Sequence, residues 1–391
     1  MSKAKRILAL ILTLVIVSSA APLVSAASSS NELKLYIDGV LIVPDVPYII
    51  QDGVTLVPLK FVIDAFGARG VWDGATVTAT VTNTLHVIKF TVGSRTYTID
   101  GAAKTLAIAP VNQNGRVMVP LRAISEAFGA EVNYDEKTHT GYINYFSNPA
   151  LSGTVHISGS TTVQPIATEA AEALKKMNDK LSISVSGGGS GTGISEAING
   201  TVNIGMSSRD LRAEEAAQLS QFVIAHDGVA IIVNNNNDVK NLTTDQVKKI
   251  FTGEIMNWNE VGGPNAPIIV YTRESTSGTL AALQDILGIR VKETATPTDS
   301  TGLMRQAVAA DRNGIGYISS GQVDVDVKAL TIGNIAPSIG NVKSGAYPIC
   351  RDLILVVRGA PGAITAMYID FLLSKAGQKL VTDERYISVI D

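Results

Sequence analysis

The stretch Ser186-Gly187-Gly188-Gly189-Ser190-Gly191-Thr192-Gly193-Ile194 constrains this chain more than any other nine residues. Upstream, Leu181-Ser182-Ile183-Ser184-Val185 alternates as a half-buried strand does, and downstream Ile194, Ala197 and Ile198 begin a helical spacing. A strand, a glycine loop carrying hydroxyls and a helix start therefore follow one another directly. Free N–H groups at a helix N-terminus, with the positive end of its dipole, attract an anion. Glycine lets that anion approach the backbone, and Ser190 and Thr192 add donors. Read alone, the run also suits a flexible Gly/Ser linker.

The chain opens as an export signal. Lys3, Lys5 and Arg6 precede an uncharged apolar run, Ile7 to Val17, and Val24-Ser25-Ala26 offers small residues for cleavage, so residues 1–26 are expected to be removed. An uncleaved anchor is the alternative, weakened by Ser18, Ser19 and Pro22. With no cysteine near the cut, no lipid anchor is expected, and the protein should be extracellular or associated with the cell surface. Cys350 is the single cysteine, so no intramolecular disulfide can form. Three of the 32 basic residues lie in the leader, leaving 29 against 35 acidic ones. That balance excludes nucleic acid as a partner, which calls for a basic footprint. A small anion needs only local donors and stays open.

Residues 31–146 contain a repeat. Val57-Pro58-Leu59-Lys60 is matched by Val119-Pro120-Leu121-Arg122, and Ala65-Phe66-Gly67-Ala68 by Ala127-Phe128-Gly129-Ala130, both at an offset of 62. Trp72-Asp73 with Tyr134-Asp135, and Asp38-Gly39 with Asp100-Gly101, keep the same offset. Each unit predicts short strands around an Asp-Gly turn and one helix opened by proline and closed by glycine. The pattern resembles the copper amine oxidase N-terminal-like domain of exported Gram-positive proteins. His86 and His139 occupy non-equivalent places and no cysteine is present, so no metal site is expected. A spacer or attachment module, contacting a cell-wall or surface component, fits better than a catalytic unit.

A short linker, Phe146 to Leu151, leads into a second domain over 153–391. Strands and helices alternate β-α-β-α-β, and polar clusters fall at strand ends, where open α/β sheets bind ligands. These clusters are Gly159-Ser160-Thr161-Thr162, the glycine loop, Ser207-Ser208-Arg209, and His226-Asp227-Gly228. Asn234 to Asn237 reads as a hinge, near 233–238, with a return crossover near 340–350. A second anion cradle follows, Arg273-Glu274-Ser275-Thr276-Ser277-Gly278-Thr279. Together with Gly314-Ile315-Gly316-Tyr317-Ile318 and Tyr347-Pro348-Ile349-Cys350-Arg351, these blocks resemble the PstS family of phosphate-binding proteins of ABC transporters.

The resemblance implies an α/β, two-lobed periplasmic-binding-protein fold (type II-like), preceded by the small duplicated α+β domain. It implies inorganic phosphate enclosed between the lobes, delivery to ABC permease subunits, no cofactor and no reaction. Positions matching phosphate contacts are Ser160, Thr161, Ser190, Thr192, Ser208, Arg209, Asp227, Arg273, Ser275, Ser277, Gly278 and Thr279. Arg209 reads equally as a ligand contact or as the partner of Asp210 or Asp227. Asp227 would accept the proton that phosphate carries and sulfate lacks. Arg351 is left outside the set, so Arg273→Ala is expected to cost more affinity than Arg351→Ala. His226 reads as structural, because neighbours on a strand face opposite ways. The rival readings are a secreted phosphoesterase and a surface sensor or adhesion protein. Against the first, Ser160 has no base nearby in sequence, and the loop lacks the Gly-Lys-Ser/Thr ending of a nucleotide site.

Overall fold

The computed structural model describes residues 33–390, so the leader expected over 1–26 lies outside the described residues. The repeat takes the form of hairpins related by a local two-fold. Hairpin Ile49–Gln51/Val54–Pro58 has its counterpart in Val111–Gln113/Arg116–Pro120, and the two inner strands pair antiparallel. Val57 lies opposite Val119, its own equivalent, so the axis runs through that pair. Both turns, Asp52-Gly53 and Asn114-Gly115, have positive φ at both residues, as tight hairpins require. Helices Leu59–Phe66 and Leu121–Ala127 follow Pro58 and Pro120, which take the N-cap position. Strand Val87–Thr91 breaks the symmetry by inserting into one flanking sheet.

The second domain is built on one long sheet. Its strand order is Leu181–Ser186, Gly153–Gly159, Ile204–Ser207, Cys350–Arg358, Leu219–Asn234, Gly314–Ser319, Ile269–Arg273, Thr296–Thr298. Strand Leu219–Asn234 runs unbroken for 16 residues and belongs to both lobes. It pairs with Cys350–Arg358 from Leu219 through Gly228, then with Gly314–Ser319 from Val229 onward. The lobes therefore exchange at Gly228–Val229 on the way out and at Ile349–Cys350 on the way back, where Val229 N–H donates to the Ile349 carbonyl at 2.8 Å. The expected hinge at 233–238 is corrected by this pairing. Asn234 to Asn237 end the strand inside the second lobe, and the Asn234 amide donates to the Ala309 carbonyl at 2.6 Å. Polar residues there satisfy buried backbone; they mark no flexible joint.

The two domains are not loosely strung. Phe66, Phe128, Tyr145 and Phe146 share a core with Phe371 and Leu372 of helix Ala363–Leu373 in the first lobe. Phe146 meets Phe371 edge to face at 5.2 Å. The linker is fixed from both sides. Asp38 accepts from Tyr145 N, Ser147 N and Ser147 Oγ, while Asn178 Nδ2 donates to the Asn148 and Leu151 carbonyls. Gly67 lies so close to the second domain that a Cβ there would stand 1.9 Å from the Asp370 carbonyl oxygen.

Asp370 is the polar pin of the seam. Fully buried, its carboxylate accepts from Asn83 Nδ2 at 3.0 Å, Thr84 N at 3.0 Å, Thr84 Oγ1 at 2.5 Å and Tyr145 OH at 2.6 Å. Burial still pushes the carboxyl up to about 6. Asp370→Ala would strand these donors in the core, so it should destabilise the chain by about 2–4 kcal/mol. Urea denaturation checks this, and a loss no larger than that of a surface substitution would remove Asp370 from its role as pin.

Candidate functional site

Four helices aim their N-termini at the gap between the lobes. Gln164–Met177 and Ser190–Asn199 come from the first lobe, Gly278–Leu287 and Thr301–Ala310 from the second. Each follows a strand whose last residues turn sharply into the helix, which is how hydroxyls at strand ends come to face one another. Ser160 Oγ accepts from Thr162 N and Val163 N, and Ser277 Oγ from Leu280 N, so both serines close their turns. Positive helix ends from both sides make the gap attractive to an anion.

Across the gap the lobes touch through hydroxyls. Thr161 Oγ1 and Thr301 Oγ1 lie 3.2 Å apart, as do Thr162 Oγ1 and Thr279 Oγ1. Within the first lobe, Ser190 Oγ accepts from Ser208 N at 3.0 Å and lies 3.3 Å from Ser208 Oγ. Gly191 N donates to the Thr276 carbonyl at 2.8 Å, a backbone bond between lobes. All of Ser160, Ser190, Ser208, Thr162 and Thr279 are at most 2% exposed.

Two buried guanidinium groups join this ring. Arg273 donates from Nη1 to Thr301 Oγ1 and from Nη2 to Thr161 Oγ1, both at 3.3 Å, and pairs with Glu274 through two bonds of 2.8 Å. Arg351 donates from Nη1 to Thr279 Oγ1 at 2.8 Å and to the Ser208 carbonyl at 3.1 Å. Its Nε and Nη2 donate to Asp227 Oδ2 at 3.1 and 2.9 Å. Ser319 and Ser320 hydroxyls donate to Asp227 Oδ1 at 2.7 and 3.3 Å. Each arginine thus has its own carboxylate, and attraction for an anion rests on helix ends, N–H groups and hydroxyls as much as on net charge.

The geometry sorts the residues expected from sequence. Ser160, Thr161, Ser190, Ser208, Arg273, Ser277, Gly278 and Thr279 converge on the gap. Thr192 does not, since its hydroxyl donates to the Gly188 carbonyl at 2.7 Å, and Ser275 is exposed. Arg209 is also corrected. It forms a two-bond pair with Glu215 at 2.7 and 2.8 Å and donates to the Asp210 carbonyl at 2.7 Å. Burial alone would raise the Glu215 pKa, but bonds from Arg209 and Arg212 hold it below its usual range. Asp227 is inside the site, yet its two oxygens already receive four donors, which fills the lone-pair directions of a carboxylate. A ligand proton therefore finds no vacant acceptor there.

Arg351 is the main residue the sequence did not disclose, along with Thr162, Thr301 and Ser319. Tyr347 to Arg351 was visible as a block, and the return crossover expected near 340–350 falls at Ile349–Cys350, but nothing in the block says that the Arg351 side chain reaches Asp227. Ser300-Thr301 at a helix start was the available signal for Thr301. His226 pairs with the exposed Asp352 at 2.6 Å, on the face away from Asp227. The Cys350 thiol donates to the Tyr347 carbonyl, and burial raises its pKa. Among the described residues, no three His, Cys, Asp or Glu side chains are grouped to hold a metal ion.

Comparison with known proteins meets this geometry. Residues 146–376 match the PBP superfamily domain, and residues 36–143 the copper amine oxidase N-terminal domain. The phosphate-binding protein PstS of Bacillus subtilis (strain 168) is 37% identical over 249 residues, covering 61% of this chain and 82% of that protein. The chain belongs to the PstS family. PstS of Borreliella burgdorferi is 30% identical over 250 residues, covering 60% of this chain and 90% of that one. A putative phosphate ABC transporter substrate-binding protein from Clostridium perfringens, solved with bound phosphate, is 40% identical with a TM-score of 0.59. It is matched over its whole length and over 61% of this chain. The ABC-type phosphate transport receptor of Vibrio cholerae gives 35% and 0.53, covering 60% of this chain and 99% of that one.

Closure of this PstS-type cleft depends on Gly278. A Cβ there would stand 2.1 Å from Ser190 Oγ, 2.8 Å from Ser190 Cβ and 2.8 Å from Ser208 Oγ. Gly278→Ala should therefore keep both lobes folded but hold them apart. X-ray scattering should give a larger radius of gyration than wild type under conditions that close the latter; identical profiles would mean that the contact yields.

Proposed function

We propose that this chain is an extracytoplasmic solute-binding protein that encloses inorganic phosphate between its lobes and passes it to the permease of an ABC transporter. The observation that carries the reading is the meeting of four helix N-termini, a ring of hydroxyls and two paired arginines at one buried point between lobes. A tetrahedral oxyanion presents acceptors in every direction, and this site presents donors in every direction. The Clostridium perfringens relative solved with bound phosphate supports the ligand. The proposed contacts are Thr161, Thr162, Ser190, Ser208, Gly278, Thr279, Thr301, Arg273 and Arg351. The proposed division is 31–146 for the attachment module and 153–391 for the binding domain, with no reaction carried out by either. Retention at the cell surface, through contact of the first domain with a wall component, belongs to the same reading.

Calorimetry of ligand-free protein tests it directly: one saturable phosphate site per chain is expected, and no saturable binding would overturn the proposal. A chromogenic phosphate ester, offered with and without divalent metals, should stay intact. A phosphoesterase would release the dye.

Charge-assisted hydrogen bonds are worth about 1.5–3 kcal/mol. Arg273→Ala and Arg351→Ala should each weaken phosphate by one to two decades on that scale, and Arg209→Ala far less. Equal affinity of Arg351→Ala and wild type would return that residue to a purely structural role. Asp227→Asn should weaken phosphate and sulfate together, because it loosens Arg351 without freeing an acceptor. A selective gain for sulfate would restore Asp227 as the discriminator.

A further inference from the structure

Helix Lys375–Asp383 packs in the first lobe, and the chain leaves it by a sharp reversal. Arg385 takes a left-handed φ of 64°, Arg385 N donates to the Thr382 carbonyl and Tyr386 N to the Val381 carbonyl, both at 3.0 Å. That pattern closes a helix end and turns the chain aside. Here it turns the chain towards the hinge. Tyr386, 2% exposed, belongs to the first-lobe core and donates from its hydroxyl to the Thr162 carbonyl at 2.8 Å. Ile387, the next residue and 5% exposed, belongs to the second-lobe core together with Val229, Val342 and Ile349. Two neighbours in sequence are thus buried in different lobes. Val389 N then returns to the first lobe, donating to Gln378 Oε1 at 2.8 Å.

The backbone fixes where this tail runs. On strand Leu219–Asn234, the edge that Gly314–Ser319 occupies from Val229 onward is taken at His226 by Ile387. His226 N donates to the Ile387 carbonyl at 2.9 Å, and Ile387 N donates to the His226 carbonyl at 3.1 Å. This bridge stands just before the lobes exchange at Gly228–Val229. Arg385 Nη1 also reaches the second lobe, donating to the Val323 carbonyl at 3.2 Å. A Cβ on Gly321 would stand 3.1 Å from the Glu384 and Arg385 carbonyl oxygens. A cavity of about 760 Å³ is lined by Asp210 of the first lobe, Asp285 of the second and Ile387 to Val389 of the tail. The tail therefore bridges the lobes beside a gap in their direct packing.

We propose that Tyr386–Ile387 is a strap across the hinge, and that the seat of Ile387 in the second lobe holds the cleft shut on its ligand. Tyr386 ties the strap to the turn that carries Thr162, whose hydroxyl meets that of Thr279 across the gap. Opening the cleft turns the second lobe against a residue anchored one peptide away in the first. Closure thus gains the burial of Ile387, and opening gives part of it up. Both are positioning residues, since neither is among the proposed phosphate contacts. The effect on affinity rests on the phosphate reading of the cleft; the strap itself does not.

Release of radiolabelled inorganic phosphate, followed after dilution into unlabelled phosphate, tests it. Ile387→Ala should release phosphate at least about fivefold faster than wild type, with the association rate unchanged. Ile387→Val is mild enough to keep the fold and should quicken release by about twofold. Ile250→Ala, in the same core on helix Thr244–Thr252, is the control. It should lower the melting temperature at least as much as Ile387→Val and leave release at the wild-type rate. Both Ile387 variants releasing phosphate as slowly as wild type overturn the proposal, as does a change confined to the association rate. Ile250→Ala releasing it as fast as Ile387→Ala overturns it equally. If wild type binds no phosphate, the reading of the cleft falls and X-ray scattering decides the strap alone. A larger radius of gyration for Ile387→Ala than for wild type then upholds it, and equal radii overturn it.

Discussion

A carboxylate at the point where the chain changes lobes has to be satisfied, and much of the cleft is arranged around that requirement. Asp227 is fully buried beside the exchange at Gly228–Val229. Removing one partner from such a pair leaves an uncompensated charge, which costs far more than the pair itself contributes. The pairing draws Arg351 in from the opposite crossover strand, and Arg351 in turn orients Thr279 of one lobe and the Ser208 carbonyl of the other. A need internal to the fold thus prepares donors for a guest. Arg273 and Glu274 repeat the arrangement on the second lobe. Guanidinium groups held in this way lose little side-chain entropy when an anion arrives.

Sequence legibility followed distance along the chain. Strand, glycine loop and helix at Leu181 to Asn199 are local, so alternation and glycine content disclosed them. The repeat was equally plain, because a fixed offset needs no structural knowledge. Pairs that form between distant segments were hidden. Arg209 is the local exception: ligand, Asp210 and Asp227 were the partners the sequence suggested, and its actual partner is Glu215, six residues away. Arg351 meets Asp227 across 124 positions, set by a register between two strands that no periodicity reports. The four asparagines looked like a joint because polar runs often are; here the Asn234 and Asn237 amides donate to the Ala309 and Arg312 carbonyls, and Asn234 Oδ1 accepts from Asn236 N. The seam was the largest surprise, since a Phe-Ser-Asn-Pro stretch resembles a linker until Phe146 is found in the core.

Duplication gave the first domain two versions of every surface, and the versions have diverged unevenly. Core positions such as Val57 and Val119 remain identical and pair with each other. Solvent positions such as Leu41 and Ala103 do not. Divergence inside one chain separates what the fold requires from what a surface is for, without recourse to any other sequence.

The seam at Asp370 also has a mechanical consequence. The first domain shares its core with the first lobe, through Phe146, Phe371 and the backbone contact at Gly67, so these parts move as one body. The second lobe is joined to that body by the two crossover strands and by the contacts of the cleft itself. If the first domain is what the cell holds, one jaw is bolted to the bench and the other does all the travelling. The stroke is then carried by Gly278 and Thr301, and a membrane partner could read the loaded state from the position of that single jaw.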